Sequence, residues 1–153
     1  MKWNKLYEYP ASMRTSIEGK RHYEITGKKL PSVTTILSAT KSQEAIDSIN
    51  RWKARIGEDQ ATRVKDQAAS RGTNMHYHLE KYILGEGHKD LTDEGQVAGD
   101  MAQVIIDKGL CDMGEIWGSE VTLFYPNLYA GATDLVGFFY YEDSIVDFKQ
   151  SNK

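Results

Sequence analysis

The sequence has a single cysteine, Cys111, only three prolines and no apolar run long enough to cross a membrane. One cysteine excludes a framework of internal disulfide bonds and suits a reducing compartment. The opening segment MKWNKLYEYPASMRTSIEG lacks the apolar stretch of a secretion signal, and the chain contains no repeat and no low-complexity tract. We therefore expect neither a disulfide-rich secreted protein, nor a membrane protein, nor a repeat array.

What is present is ordinary for one globular domain: 153 residues, of which 40% are apolar and 27% charged. The net charge of −3 is unevenly distributed, because residues 1–85 contain 15 Lys and Arg against 9 Asp and Glu, whereas residues 86–153 contain 4 against 13. A basic first part suits a polyanion, and an acidic second part suits a bound cation. An asymmetry of this size also arises by chance, so it gives these interpretations little weight.

Helical patterns dominate the first two thirds of the chain. A short hairpin that turns at Thr26-Gly27 precedes a helix that begins near Val33, after Pro31 and Ser32. Four more helices are predicted, from Ser42 to Gly57, over Glu58 to Ser70, from Thr73 to Gly85 and from Thr92 to Gly109. On the helix that begins at Thr73, His76 lies four residues before Glu80 and shares its face.

The last third of the chain is rich in Val, Ile, Phe and Tyr and predicts three strands. They cover Glu120 to Tyr125, Leu135 to Tyr141 and Ile145 to Phe148, with a turn at Pro126-Asn127 after the first. We therefore predict an α+β fold in which N-terminal helices precede a three-stranded antiparallel meander.

The turn between the last two strands determines which residues face each other. Glu142, Asp143 and Ser144 are turn-compatible residues. With a two-residue turn at 142–143, Asp134 lies opposite Ser151, about 13 Å along the strand from the position that pairs with Asp147.

Two aspartates and a lysine lie in this β-prone segment. The alternation of side chains along a strand places Asp147 and Lys149 on one face and Phe148 on the other. One interpretation is a solvated face with a surface ion pair, which the hairpin by itself favours. The other is a site where Asp134 and Asp147 hold Mg²⁺ or Mn²⁺ and Lys149 acts on a water molecule.

Three pieces occur in order along the chain: Arg71-Gly72-x-x-x-His76, Gly131-x-x-Asp134 and Asp147-x-Lys149. With the segments PSVTTIL, NRWKARIGED, RGTNMHYHLEKYI, SEVTLFYPNLYAGATDLVG and IVDFKQSNK, they resemble the PD-(D/E)XK nuclease superfamily, in particular its RecB-like branch. The sequence is most similar to the mitochondrial genome maintenance exonuclease family and its phage relatives, from about residue 31 to the end. Each motif is common alone, but their combination in this order is specific.

The resemblance implies a restriction-endonuclease-like core with Lys149, Asp134, Asp147 and Glu120 as catalytic residues. It implies His76, Asp134 and Asp147 as ligands of Mg²⁺ or Mn²⁺, with Glu120 beside the metal and Lys149 orienting or deprotonating the attacking water. The implied reaction is in-line hydrolysis of a phosphodiester.

DNA is the expected partner of the helices. The predicted DNA contacts are Ser32, Thr34, Arg51, Trp52, Lys53, Arg55, Arg71 and Thr73. An alternative interpretation makes Trp52 a core residue. Within a single domain, residues 31–110 are expected to form a helical DNA-gripping region and residues 111–153 the β-meander that carries the metal site.

The expected function is a metal-dependent exonuclease on single-stranded DNA ends, encoded by a phage and acting in the cytoplasm of its bacterial host. A structure-specific or restriction-type endonuclease on the same core is an alternative, and so is an inactive fragment that only binds DNA or a partner chain. RecB-like nucleases continue with a Gln-x-x-x-Tyr helix, which this sequence lacks. We therefore expect an incomplete domain with a bare edge at Ile145 to Lys149, completed by a separately encoded C-terminal nuclease fragment.

Overall fold

The computed structural model describes residues 1–151, which form an α+β fold of two β-sheets and four α-helices. The strands are β1 (Lys2–Trp3), β2 (Ser12–Ile17), β3 (Lys20–Ile25), β4 (Lys28–Pro31), β5 (Met113–Tyr125), β6 (Tyr129–Phe139) and β7 (Glu142–Val146). The helices are α1 (Val33–Ala39), α2 (Gln43–Ile56), α3 (Glu58–Ile83) and α4 (Asp93–Lys108), and a short 3₁₀ helix, Leu110–Asp112, precedes β5. The predicted α+β class is confirmed. Within these residues, no helix combines the length and the apolar character needed to cross a lipid bilayer.

The chain divides into two compact units. Unit 1 consists of Met1–Glu8, Val64–Val121 and Thr133–Lys153, and unit 2 of Tyr9–Arg63 and Thr122–Ala132. The end of the β5–β6 hairpin belongs to unit 2 together with α1 and α2. The predicted roles of residues 31–110 and 111–153 stay predictions. The last two residues of the motif IVDFKQSNK lie outside the described residues.

The predicted starts of α1, α2 and α4 are confirmed because their capping residues were recognisable. In Ser32, Ser42 and Thr92 the side-chain hydroxyl accepts a hydrogen bond from the backbone N–H three residues later, at 3.0 to 3.2 Å. Gly57 ends α2 with a φ of 86°, a left-handed conformation that glycine adopts without a steric penalty.

The prediction of two helices in the middle of the chain is wrong, because α3 continues without a break through Gly72. Thr73 does not cap a helix, and its hydroxyl donates to the carbonyl of Ala69 at 3.0 Å. A glycine inside a helix costs only about 1 kcal/mol. Burial of Met75 and Leu79 in the core of unit 1 offsets that cost.

The strands of the last third form a larger sheet than the predicted meander. Its strand order is β1-β5-β6-β7, with β1 parallel to β5 and β7 antiparallel to β6. The predicted turn at Pro126-Asn127 is confirmed, but β5 and β6 begin earlier than the predicted Glu120 and Leu135. Strand β7 is an edge strand that covers Glu142–Val146, so the predicted strand, Ile145 to Phe148, begins and ends too late.

The turn between β6 and β7 is at Tyr140-Tyr141 and not at Glu142 to Ser144 as predicted. Both tyrosines have positive φ angles, 47° and 69°. Two-residue turns with two left-handed residues match the twist of a hairpin, although they usually contain Asn or Gly. Turn propensity therefore indicated the wrong residues.

The packing of the core explains the observed register. Leu135 pairs with Val146, and both side chains pack in the apolar cluster of unit 1. Asp134 and Asp147 occupy the next pair of positions along this register. The predicted pairing of Asp134 with Ser151 is wrong, and with it the predicted separation along the strand.

The core of unit 1 is one cluster of ten buried side chains from α3, α4, the 3₁₀ helix, the sheet and the segment after β7. Gly137 allows β6 to approach β5 within this unit, because a Cβ atom at Gly137 would lie 2.1 Å from the carbonyl oxygen of Glu115. Only glycine fits such a close approach of two backbones.

Unit 2 contains a second sheet that was predicted only in part. The hairpin at Thr26-Gly27 is confirmed as β3–β4, but β2 adds a third strand beside β3. Strand β2 has the sequence SMRTSI, which is too polar to predict a strand by its apolar pattern. The core of this unit consists of Tyr23, Ile25, Leu30 and Ala130.

Candidate metal centre

Three potential metal ligands meet in unit 1: His76 of α3, Glu120 of β5 and Asp134 of β6. One ligand atom from each residue lies within 4.8 Å of the corresponding atoms of the other two. All three residues were predicted as site residues from the sequence, but Asp147 was predicted as a metal ligand and Glu120 only as an acidic residue beside the metal. In residues 1–151 the compact group includes Glu120 and does not include Asp147.

Both ring nitrogens of His76 have a partner. Nδ1 lies 3.3 Å from Oδ1 of Asp134, and Nε2 lies 2.9 Å from the carbonyl oxygen of Phe148. Both partners are hydrogen-bond acceptors, so together they favour the doubly protonated imidazolium. Helix α3 holds the ring in place because Met75 and Leu79, on either side of it in sequence, are anchored in the core.

The backbone of Phe148 connects His76 and Asp134. Its N–H donates to Oδ2 of Asp134 at 2.6 Å, while its carbonyl oxygen contacts His76. The side chain of Phe148 is buried in the core, which fixes the position of this peptide. Sequence reasoning missed this role, since no side-chain pattern identifies a backbone group. The one available hint was the apolar residue between Asp147 and Lys149.

Glu120 has an unusual backbone conformation for a strand residue. Its φ of 52° lies in the left-handed region, which costs a non-glycine residue on the order of 1 kcal/mol or more. Such a distortion interrupts the regular alternation of side chains along β5 and changes the direction of the side chain. The distortion occurs at the residue whose carboxylate lies close to His76 and Asp134 in the candidate metal site.

The three groups shift one another's pKa. The hydrogen bond with Asp134 raises the pKa of His76, against the opposing effect of burial. Burial alone would raise the pKa of Asp134, but the hydrogen bonds from His76 and Phe148 outweigh it and lower that pKa. Partial desolvation of its carboxyl and the charges of Asp134 and Glu80 raise the pKa of Glu120. A cation would therefore relieve the crowding of negative charge.

Asp147 and Lys149 form an exposed ion pair, with Nζ 2.8 Å from Oδ2 and 3.1 Å from Oδ1. This geometry agrees with the surface ion pair that the hairpin favoured. The charge of Lys149 also contributes to the lowered pKa of Asp134, so the lysine acts electrostatically on the cluster. The catalytic roles of Asp147 and Lys149 stay predictions.

Four predicted DNA contacts lie on α2 in unit 2. Arg51 and Arg55 are exposed, Trp52 and Lys53 are half-buried, and the helix has no fully buried residue. Lys53 lies 3.7 Å from the carboxylate of Glu58. Trp52 is therefore neither a fully buried core residue nor a fully exposed stacking platform.

Two further predicted contacts, Ser32 and Thr34, lie at the start of α1. Ser32 is only 2% exposed, and its hydroxyl caps the helix. Thr34 is exposed, and its hydroxyl lies 2.9 Å from that of Ser32. The structural role of Ser32 explains its presence in the sequence, and a DNA contact for either residue stays a prediction.

The last two predicted contacts, Arg71 and Thr73, lie on α3 in unit 1. The Nε atom of Arg71 is buried and has no hydrogen-bond partner among residues 1–151. A buried donor without a partner costs free energy. A DNA contact for Arg71 stays a prediction. Thr73 is exposed and bonded to Ala69, as described above.

The donor set of the cluster fits a small divalent cation. Two carboxylates supply the oxygen ligands that Mg²⁺ and Mn²⁺ prefer, and the imidazole nitrogen suits Mn²⁺ better than Mg²⁺. The absence of cysteine from the cluster disfavours a structural zinc site, where thiolates are the usual ligands.

Comparison with models of protein families finds no match for this sequence, and a search of curated proteins finds none either.

Proposed function

We propose that the chain is a metal-dependent deoxyribonuclease of the PD-(D/E)XK type that hydrolyses phosphodiester bonds at single-stranded DNA ends. The observation that carries this proposal is the convergence of His76, Glu120 and Asp134. The charge of Lys149 acts on the same cluster. The ordered motifs that resemble RecB-like exonucleases support the choice of DNA ends as the substrate.

His76, Glu120 and Asp134 would hold the cation, which when bound polarises phosphate oxygens and lowers the pKa of a water ligand. The peptide of Phe148 orients His76 and Asp134 before substrate arrives, which reduces the reorganisation required during the reaction. Lys149 contributes a positive charge that stabilises the negative charge developing on the phosphate and orients the attacking water.

Binding of the DNA strand is proposed for cations outside the cluster. Arg51 and Arg55 are exposed on α2 and would contact phosphates without regard to base sequence. Arg71, which is half-buried on α3, is also proposed to contact a phosphate, since guanidinium groups bind phosphate through hydrogen bonds.

We also propose a partner chain at the edge of the larger sheet. Strand β7 has an unpaired edge among residues 1–151, and its Ile145 is exposed. Such an edge can pair with a strand of another chain. The proposed partner is a polypeptide that adds a strand to this edge, and the proposed location is the cytoplasm of a phage-infected bacterium, as the resemblance implies.

Cleavage of linear and circular single-stranded DNA with Mg²⁺ or Mn²⁺ tests this function, with the chain alone and with the corresponding C-terminal segment of a RecB-like exonuclease. We expect degradation of the linear strand only. Lys149→Ala should abolish it while DNA binding persists, and so should Asp147→Asn, which removes the carboxylate charge paired with Lys149. Lys108→Ala, an exposed lysine of α4, should have no effect. Equal cleavage of circles would indicate an endonuclease. If no DNA is cleaved by the chain alone or with the added segment, the nuclease function is contradicted and a binding function remains. An active Lys149→Ala variant would contradict the proposed role of the lysine.

A further inference from the structure

The end of the β5–β6 hairpin presents an exposed aromatic pair. Tyr125 is the last residue of β5 and Tyr129 the first of β6, and their rings stack with centroids 5.9 Å apart and an interplanar angle of 28°. The two residues are 56% and 39% exposed. A planar group of a ligand, such as a nucleobase, can therefore stack on tyrosine rings that are exposed and already stacked on each other.

A tight turn holds this pair in place. The N–H of Leu128 donates to the carbonyl of Tyr125 at 3.1 Å, with Pro126 and Asn127 at the central positions. Asn127 has a φ of 63°, as the third residue of a type II turn requires. The short, proline-containing connection limits the motion of the aromatic pair.

A cation is bonded to the same turn. Nζ of Lys28, the first residue of β4, donates to Oδ1 of Asn127 at 2.6 Å. An ammonium group has three donors, so Lys28 retains others for an anionic ligand. The positive charge thus lies at the turn that joins the two stacked tyrosines.

Further cations follow along one face of the β2–β4 sheet. Arg21, Tyr23 and Ile25 are alternate residues of the central strand β3. Arg14 of β2 pairs with Tyr23, and Lys28 of β4 pairs with Ile25. Paired residues share a face and alternate residues of a strand share a face. Lys28, Arg14 and Arg21 are therefore on the face that also carries the buried Tyr23 and Ile25, but all three are exposed. Lys28 and Arg14 lie on the outer strands of the sheet, and Arg14 and Arg21 line the same surface cleft.

Negative charge is scarce around this surface. Residues 122–132 contain no charged side chain, and Glu24, the acidic residue of the three strands, is on the opposite face of the sheet. One acidic residue, Glu18, lies in the β2–β3 turn beside Gly19 of the arginine cleft. Unit 2 as a whole contains 10 Lys and Arg against 6 Asp and Glu. The surface suits a ligand that combines negative charge with planar apolar groups.

We propose that Tyr125, Tyr129, Lys28, Arg14 and Arg21, here called the tyrosine–cation surface, bind single-stranded nucleic acid. An unpaired base stacks on the tyrosine pair, and the three cations contact backbone phosphates. In a duplex the bases stack on each other, so the aromatic pair distinguishes single strands from double strands. This binding requires no divalent cation and goes beyond the proposed nuclease reaction.

Equilibrium binding of a labelled oligodeoxythymidylate to the whole chain in EDTA tests the proposal separately from cleavage. We expect the double variant Tyr125→Ala/Tyr129→Ala to bind about tenfold or more weakly, while the double phenylalanine variant keeps its affinity because the ring faces remain. A fluorescent adenine analogue in the oligonucleotide, quenched when it stacks, should lose its quenching only with the alanine variant.

The chain provides a matched control in Tyr140 and Tyr141, an exposed pair at another hairpin turn that adjoins the acidic residues Glu142 and Asp143. Their replacement by alanine should leave the affinity unchanged. Circular dichroism establishes that each variant is folded. If the Tyr125 and Tyr129 alanine variant is unfolded, the triple variant Lys28→Gln/Arg14→Gln/Arg21→Gln tests the proposal instead. Its plot of the logarithm of affinity against the logarithm of salt concentration should have a slope smaller by about 2.

Three outcomes would overturn the proposal. One is an alanine variant that is folded and binds as tightly as the wild type. Another is equal affinity for single-stranded DNA, duplex DNA and an acidic peptide, which would indicate a general polyanion or protein surface without stacking. The third is an unchanged salt slope in the triple variant. A failure of cleavage with intact binding would contradict only the nuclease function.

Discussion

Unit 1, which contains His76, Glu120 and Asp134, has 9 Lys and Arg against 16 Asp and Glu, whereas unit 2 has 10 against 6. The two units also differ in packing, since ten side chains form the buried cluster of unit 1 and four that of unit 2. Both units keep some large apolar side chains exposed, such as Leu91 in unit 1 and Leu37 in unit 2.

The two proposed sites would place different requirements on the units that contain them. A carboxylate cluster needs partial desolvation and fixed neighbours to shift pKa values and to hold a cation, which a larger core provides. Binding a nucleic acid strand needs exposed cations and aromatic faces, which a small core leaves at the surface. Carboxylates that attract a cation repel the phosphates of a nucleic acid, and cationic side chains that attract phosphates repel a metal ion. The two proposed sites are therefore easier to build in separate units.

Replacement of a proposed metal ligand should give the largest difference between the two units, because it should affect cleavage and not single-strand binding. We expect Asp134→Asn to lower cation-dependent cleavage by about 10²- to 10⁴-fold, because a metal contributes several kcal/mol to transition-state stabilisation. Single-strand binding in EDTA should persist, since most of the cations proposed to contact the strand lie in unit 2 and none of them is changed. Single-turnover cleavage and binding measured side by side test this, with Asp143→Asn on β7 as the control. Equal loss of binding and cleavage would contradict the separation.

The difference in core size predicts a difference in stability. Leu79 is fully buried in the larger cluster, so Leu79→Ala should lower the free energy of unfolding by about 2–5 kcal/mol. Leu30→Ala in the four-residue cluster should cost less, about 2 kcal/mol, because fewer neighbours surround the cavity. Urea unfolding measures both values, and hydrogen exchange should show earlier opening of unit 2. A larger loss for Leu30→Ala would reverse the comparison.

Protons should compete with the cation in unit 1. His76 must lose a proton to bind a metal, and its pKa is raised by Asp134, so affinity for Mn²⁺ should fall about tenfold per pH unit below that pKa. Calorimetric titration across this range measures the effect. Asp134→Asn should lower the His76 pKa seen by NMR, whereas His22→Gln in unit 2 should not change it.

The same pair predicts how stability depends on pH. The folded chain binds the His76 proton more tightly than the unfolded chain does, so this contribution is complete below pH 6.5 and is lost as the pH rises through the raised pKa. The lowered pKa of Asp134 gives a contribution that is present above pH 3.8 and lost as the pH falls through the lowered pKa. A wild-type stability profile identical to that of His76→Gln would contradict this coupling.

The smallest expected effect concerns salt. The triple variant Arg51→Gln/Lys53→Gln/Arg55→Gln in unit 2 should reduce the dependence of single-strand binding on salt, by about 2 in the logarithmic slope for three phosphate contacts. The matched triple variant Lys65→Gln/Lys89→Gln/Lys108→Gln in unit 1 should leave it unchanged. Equal slopes for the two variants would show that phosphate contacts do not distinguish the units.

Local sequence patterns determined the starts of α1, α2 and α4 and the turn at Pro126-Asn127. In each case a single side chain or a restricted φ angle acts on its own neighbours, as the hydroxyl of Ser42 does on the N–H of Ala45. The helix break predicted at Gly72 was wrong because packing in the core, and not a local effect, determines the structure there. The local penalty of that glycine is small compared with the burial of Met75 and Leu79.

The motifs likewise identified His76, Glu120 and Asp134 as residues of one candidate site, but not how they are arranged. That arrangement depends on the register of β6 and β7, on the left-handed backbone at Glu120 and on the peptide of Phe148. Leu135 and Val146 decide the register by packing in a common core, and that choice overrides the turn propensity of residues 142–144. Sequence by itself thus determined the α+β class, the helix caps and the chemistry available. Only the tertiary structure decided which groups meet, because side chains distant in the sequence compete for the same buried space.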